Sequence, residues 1–200
     1  MRRRRGSAAA DDAAVIESSW REPERFAVLF DRHAPHIYRY LARRAGRQVA
    51  DDLVAETFLA AFAKRDRYDL GHADARPWLY GIATNLVGQH RRDEARQYRI
   101  RQAAVAEPEV PGHAERVAAD VTAQAMRTLL AEALATLSAG DRDVLLLIAW
   151  EQLTYQEVSR ALAIPVGTVQ SRLHRARTKV RQVLAGADAG ATYEEITTNE

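Results

Sequence analysis

The sequence predicts an all-α fold made of two small helical domains. Strand signals are nearly absent, apolar residues recur at helical spacing in segment after segment, and one stretch between them has linker chemistry. The apolar share of 47% in 200 residues is ordinary for a globular protein and sufficient for a core. There is no cysteine, which excludes a disulfide framework and a thiolate metal site. No apolar run approaches the ~20 residues needed to cross a bilayer, so no membrane insertion is expected. The Arg2–Arg5 run lacks the apolar stretch of a secretory signal, and the chain is expected to be cytoplasmic. A net charge of +2 would not by itself point to nucleic acid; the clustering of base in a few segments does.

Residues 1–22, four arginines followed by Ala, Asp and Ser, read as a disordered tail. The first domain, 23–101, should hold three or four helices. Pro23 can open a helix, and Phe26, Leu29 and Phe30 continue it. Pro35 predicts a break or kink before His36–Ala45, with Gly46 as the stop. A second helix is expected from Val49 to Arg65, with its apolar stripe on Leu53, Val54, Phe58, Ala61 and Phe62. After a polar loop over 66–74, a third starts near Pro77 and carries Trp78, Leu79, Ile82, Ala83, Leu86 and Val87. Beyond Gln89 it turns basic, through His90, Arg91, Arg92, Arg96, Arg99 and Arg101.

Residues 102–115, with Glu107, Pro108, Glu109, Pro111 and Gly112, read as a flexible acidic linker. The second domain, 116–185, is expected to hold four helices. Its first carries Val121, Leu129, Leu130, Leu134 and Leu137; Ser138 with Asp141 then opens a helix filled by Val144, Leu145, Leu147 and Ile148. Residues 186–200 read as a flexible tail.

The most informative stretch is Leu153–Leu184. Thr154 and Glu157 have capping-box spacing at the start of a short helix. A turn through Ile164-Pro165-Val166-Gly167 follows, then a helix bearing Arg172, Arg175, Arg177, Lys179 and Arg181 and no acid. Thr168, Gln170, Ser171, His174 and Arg175 project from its first turns. This is a helix-turn-helix whose second element suits a DNA major groove. Gln pairs well with adenine there and Arg with guanine.

The run "LTYQEVSRALAIPVGTVQSRLHRARTKVRQVL" resembles the fourth region of bacterial sigma factors. "DDLVAETFLAAF" followed by "ARPWLYGIATNLVGQHRRDEAR" resembles their second region. A chain with only these two regions, over roughly Arg25–Leu184, is similar to an extracytoplasmic-function (ECF) sigma factor of the sigma-70 family. The resemblance implies a non-enzymatic protein that binds core RNA polymerase, reads a −35 duplex and opens −10 DNA. It implies that Gln170, Ser171, His174 and Arg175 face −35 bases while Thr168 and Arg172 serve the phosphate backbone. It sets Trp78, Asn85, Arg91, Arg92 and Arg96 along −10 DNA, although Trp78 also shares core spacing with Ile82. Asp51, Asp52, Leu53, Glu56 and Phe58 would grip the β′ clamp helices of the polymerase. The apolar face around Leu145–Trp150 would meet the β flap. Relatives usually have Gln where Ala55 stands and often Arg or Lys at Gln170. They are commonly held by an anti-sigma factor.

Two rivals use less of the chain. A stand-alone helix-turn-helix regulator needs only the C-terminal half. A metal-dependent enzyme would draw on His33 and His36, or on Asp51, Asp52 and Glu56, but no nucleophile–base–orienter set or phosphate loop is visible. No catalytic residue, metal or cofactor is therefore expected.

Overall fold

The computed structural model describes residues 11–104 and 121–197. Among the described residues it is all α-helix, two 3₁₀ turns and connecting loops, with no strand. The helices are α1 (Asp12–Ser18), α2 (Ala27–Ala45), α3 (Arg47–Ala63), α4 (Arg76–Ala104), α5 (Val121–Ala135), α6 (Ala139–Ala149), α7 (Tyr155–Leu162) and α8 (Val166–Thr197). The 3₁₀ turns are Pro23–Phe26 and Arg65–Arg67. The backbone divides into two compact units, Met1–Gln97 with Gln156–Ile164, and Tyr98–Tyr155 with Pro165–Glu200.

The first unit departs from expectation at once. Residues 12–18, read from sequence as part of a disordered tail, form α1; residues 1–10 lie outside the described residues. A seven-residue helix has little stability of its own, so tertiary contacts must hold it. Asp11 caps it by accepting from the Ala13 N–H at 3.0 Å, and Ile16 is fully buried. Asp12 supplies the decisive contact. Its buried carboxylate accepts from Arg32 Nη1 at 2.9 Å, meets His33 Nε2 at 2.8 Å and accepts from the Ala75 N–H at 3.0 Å. Its own N–H donates to the Ala73 carbonyl. Burial alone would raise the Asp12 carboxyl, but the contacts with His33, Ala75 and Arg32 outweigh it and hold the group below the ordinary aspartate range.

α2 runs unbroken through Pro35, where a break was expected. The missing N–H costs one ladder bond, yet Leu29 before the proline and Ile37, Tyr40 and Leu41 after it are all buried, so packing holds both halves in line. Gly46 ends the helix as expected, with a φ of 88° that only glycine adopts cheaply and its N–H on the Ala42 carbonyl. A buried polar seam joins α2 to α4. The Tyr40 and Tyr80 rings meet edge to face at 5.3 Å, the Tyr40 hydroxyl pairs with Thr84 Oγ1 at 2.7 Å, and Arg44 donates to that hydroxyl.

α7 closes with hydrogen bonds from the Ile164 N–H to the Ser159 carbonyl and from the Ala163 N–H to the Arg160 carbonyl. This is a Schellman stop, with Ala163 at the left-handed position where glycine is usual (φ 51°). Ser159 Oγ reinforces it by donating to the Ile164 carbonyl at 2.6 Å. The turn is thus Ala163-Ile164-Pro165, one step earlier than expected, because Val166 and Gly167 already belong to α8. α7 is short and amphipathic, with Val158 fully buried.

In the second unit, α8 packs on α5 and α6. Ser138 caps α6 by accepting from the Asp141 N–H at 3.2 Å, as its spacing implied. Arg142 then reaches back to the carbonyls of Leu134, Ala135 and Leu137, satisfying the open end of α5. α8 continues to Thr197, where a tail was expected after 185; alanines at 185, 187, 189 and 191 favour the helix. Most of the 102–115 linker lies outside the described residues, while α4 runs on to Ala104.

Asp12→Asn is predicted to destabilise the protein by about 3 kcal/mol, because it removes one partner of a buried charge cluster. The sign with pH follows from the lowered folded pKa. The contribution is complete above the unfolded value near 3.8 and is lost as pH falls through the folded one. Denaturant melts of wild type and variant should therefore converge on acidification; a constant gap down to the acid transition would refute the assignment.

Candidate nucleic-acid interface

Helical geometry fixes which residues of α8 face outward. Val169, Leu173 and Ala176 recur at i, i+4 and i+7 and are buried. The opposite face is left to Gln170, Ser171, His174 and Arg175, all exposed, while Thr168 and Arg172 are half-buried at its margin. Arg177, Lys179 and Arg181 extend the exposed base along the helix. A polar tip with a cationic flank is the arrangement that contacts base edges and phosphates together.

Two of these side chains are already engaged. Ser171 Oγ donates to the Thr168 carbonyl at 3.1 Å. Arg175 donates to Asp141 on α6, through Nη2 at 2.9 Å and Nε at 3.4 Å. Burial would raise the Asp141 carboxyl, but its contacts with Arg175 and Ser138 bring it below the usual range. Nothing in the spacing of α8 announced that partner; only the fold brings residues 141 and 175 together.

A second cationic stripe lies on α4. Asn85, Gln89, Arg92 and Arg96, at i, i+4, i+7 and i+11, are all exposed and share one face. Arg91 does not join them. It is half-buried and donates to the Arg44 carbonyl, so its role is at least partly structural. Trp78 is also half-buried, with its ring 5.0 Å from that of Tyr68, which fits the core spacing read from sequence better than a free stacking platform. Tyr68, His72, Asp74, Pro77 and Trp78 line part of a cleft at the head of α4. The loop that builds it is tied down. Tyr68 donates to the His72 carbonyl at 2.6 Å, Asp69 accepts from the Gly71 N–H, and Asp74 accepts from the Arg76 N–H. Burial, with the Asp12, Asp74 and Asp11 carboxylates nearby, pushes the Tyr68 hydroxyl up, so it stays neutral.

On α3, Asp51, Asp52 and Glu56 are exposed, but Leu53 and Phe58 are buried in the core. In this structure those two present little surface to a partner. The exposed apolar side chains beside the acids are Leu59, 69% exposed, and Phe30 of α2, 45% exposed, whose ring packs edge-on to Phe58 at 4.9 Å. Because α3 starts at Arg47, these acids sit past its first turn. On α6, Val144, Leu146 and Leu147 are buried, leaving Leu145, Ile148 and Trp150 half-exposed. The histidines proposed as metal ligands point elsewhere: His33 meets Asp12, and His36 Nδ1 accepts from Arg39 at 2.7 Å. Among the described residues no group of three or more His, Cys, Asp or Glu could hold a metal ion. No described helix is long and apolar enough to cross a membrane.

Comparison with known proteins decides between the readings. Residues 29–97 match the family described as Sigma-70 region 2, and residues 127–180 match Sigma-70, region 4. The ECF RNA polymerase sigma factor SigL of Mycobacterium tuberculosis H37Rv is 34% identical over 179 residues, covering 88% of this chain and 93% of the relative. The chain belongs to the ECF sigma factor family. SigE of Mycolicibacterium smegmatis is also 34% identical over 190 residues; the match takes in 89% of this chain but 65% of that longer protein. SigW of Bacillus subtilis is 29% identical over 171 residues, covering 82% and 90% of the two chains. Among solved structures, the sigma factor RpoE of Bartonella quintana, in complex with the anti-sigma factor NepR, aligns with a TM-score of 0.58 at 25% identity, covering 80% and 96%. CnrH, in complex with the cytosolic domain of CnrY, shares the fold at a TM-score of 0.60 and 24% identity, covering 88% and 97%.

If the α4 stripe tracks single-stranded DNA, removing Arg92 or Arg96 should each lower the slope of log affinity against log salt by about 0.7. Arg91→Ala should instead lower thermal stability, by about 1 kcal/mol for the lost carbonyl bond. Titrations of a −10 oligonucleotide with the sigma–core complex at several salt concentrations, beside melts of the free protein, separate the two. An unchanged slope for both exposed arginines would reject the stripe.

Proposed function

We propose that this sigma factor recruits core RNA polymerase to promoters, reading a −35 duplex with the exposed face of α8 and opening −10 DNA along α4. The observation that carries the reading is the division of α8 into a buried stripe and an outward face of Gln170, Ser171, His174 and Arg175, in a chain that also holds region 2. A stand-alone regulator would have no use for region 2. The protein does no bond chemistry in this scheme; its work is binding, orientation and trapping of unstacked bases.

Arg172 and Thr168 serve the phosphate backbone. Asn85, with the cleft beside Trp78, receives a flipped −10 base, and Arg92 and Arg96 guide the strand. Polymerase contact falls to Asp51, Asp52 and Glu56 together with Leu59 and Phe30, an acidic edge beside an exposed apolar one. The half-exposed Leu145, Ile148 and Trp150 meet the β flap. Because RpoE was solved with an anti-sigma factor, an inhibitor covering these same apolar surfaces is part of the proposal.

Run-off transcription with core enzyme over a genomic promoter library tests the scheme. Promoter-specific transcripts should appear only when the protein is added, and their aligned starts should reveal paired −35 and −10 elements. Leu59→Asp should abolish transcription and co-elution with core enzyme while leaving the melting temperature within a few degrees. Binding of the free protein to repeated duplex sites as a dimer, without core-dependent transcripts, would establish the regulator reading instead.

A further inference from the structure

Asp141 sits where an acid is costly. It lies on the first turn of α6, against the cationic helix proposed to face DNA, where a carboxylate repels phosphates. Its side chain is only 14% exposed, while that of Arg175 is 58% exposed, so the carboxylate lies beneath the guanidinium. The contact is side-on: Oδ1 takes Nη2 and Oδ2 takes Nε. A guanidinium has five N–H groups in a rigid fork, so Nη1 and the second Nη2 proton remain at the outward end. That end matches the paired O6 and N7 acceptors of guanine in the major groove.

A neighbouring contact restrains the same surface. A Cβ placed on Gly140 would come within 2.7 Å of Arg172 Nη1 and 2.9 Å of its Cζ, so the Arg172 guanidinium lies directly on the backbone at Gly140. The first turn of α6 therefore receives two consecutive-turn arginines of α8, one on bare backbone and one on a carboxylate. Arg172 lies against the backbone and acts on the Asp141 carboxylate through its charge, whereas the two-point contact with that carboxylate fixes the plane of Arg175.

We propose that Asp141 is a positioning residue for promoter recognition, which locks the Arg175 guanidinium in the orientation that reads one guanine of the −35 element. The proposal rests on the assignment of α8 as the −35 reader. An arginine held in plane binds a bidentate acceptor without first losing its rotamer freedom, and a wrongly placed base cannot draw it aside. A carboxylate that served only to complement the α6 dipole would alter stability and leave sequence preference alone.

The test uses full-length protein assembled with core RNA polymerase and a promoter library randomised over the −35 region. Wild type, Asp141→Asn, Arg175→Ala and the double variant are compared, with thermal melts alongside. Arg175→Ala should erase preference for guanine at one position. Asp141→Asn should weaken that same preference roughly five- to ten-fold, a part of the discrimination a bidentate pair supplies, and leave the other positions as in wild type. In the Arg175→Ala background, Asp141→Asn should change the preference no further. Unchanged preference in Asp141→Asn, with Arg175→Ala effective, overturns the positioning role alone. A uniform gain in affinity for all sequences overturns it too, since the acid would then merely repel phosphates. No effect of Arg175→Ala overturns the −35 role of that residue, and the proposal with it.

Discussion

A carboxylate removed from water has to find donors inside the protein, and Asp12 finds them in parts of the chain remote from one another. Arg32 and His33 come from α2, and the Ala75 N–H comes from the loop entering α4. The Asp12 N–H is in turn accepted by Ala73. None of these can shift far without exposing a buried charge to a low-dielectric surrounding. Ala75 also passes its carbonyl to the Leu79 N–H, the start of the α4 ladder. The residue that fastens α1 thus also fixes where α4 begins. From there the register of Asn85, Arg92 and Arg96 is set by helix geometry alone.

Much of this was legible in the sequence, because periodicity and caps are local signals. The Gly46 stop, the Ser138 cap and the outward face of α8 all follow from neighbours within a few residues. What stayed hidden depends on partners far along the chain. α1 looks like tail because it is short and lies beside an arginine run, with Asp and Ser among its residues; it is helical because Asp12 and Ile16 find tertiary contacts. Pro35 predicts a break when the chain is considered alone, and packing on both sides of it overrules that. Leu53 and Phe58 have the right type for a docking surface, yet the helix turns them inward and leaves Leu59 outside. The site was legible as a list of residue types and illegible as a set of pairings, of which Asp141 with Arg175 is the clearest case.

Counting base in the sequence overstates the cationic surface, because arginine has a second use here. Arg142 donates to three carbonyls at the end of α5, Arg65 to those of Phe62 and Ser19, and Arg44 to the Tyr40 hydroxyl. Arg91 donates to the Arg44 carbonyl. A fork of five donors suits such work better than a lysine ammonium does, since one side chain satisfies several open carbonyls in a fixed plane. Arg142, Arg65 and Arg91 thereby tie helix ends to neighbouring segments, while Arg44 braces a hydroxyl within α2. Exposed base is instead concentrated on α8 and the outer stripe of α4, so a net charge of +2 is compatible with locally cationic surfaces.

α8 shows how core packing and the direction of a surface become coupled when one helix supplies both. Val169, Leu173 and Ala176 set its rotation about its own axis, and Ala176 is small enough for close approach to the helices beneath. Each residue advances ~100° around the helix, so the buried stripe determines the outward direction of Gln170, Ser171, His174 and Arg175. Repacking at Leu173, itself only 3% exposed, would therefore rotate that outward face. Outside the core, the capped first turn of α6 meets the same helix through Arg175 and Arg172. Core packing sets the rotation of the helix, and the Arg175–Asp141 ion pair restrains one side chain on its outward face. Neither restraint could replace the other: apolar contact has no direction, and a lone exposed ion pair has too little strength to hold a helix.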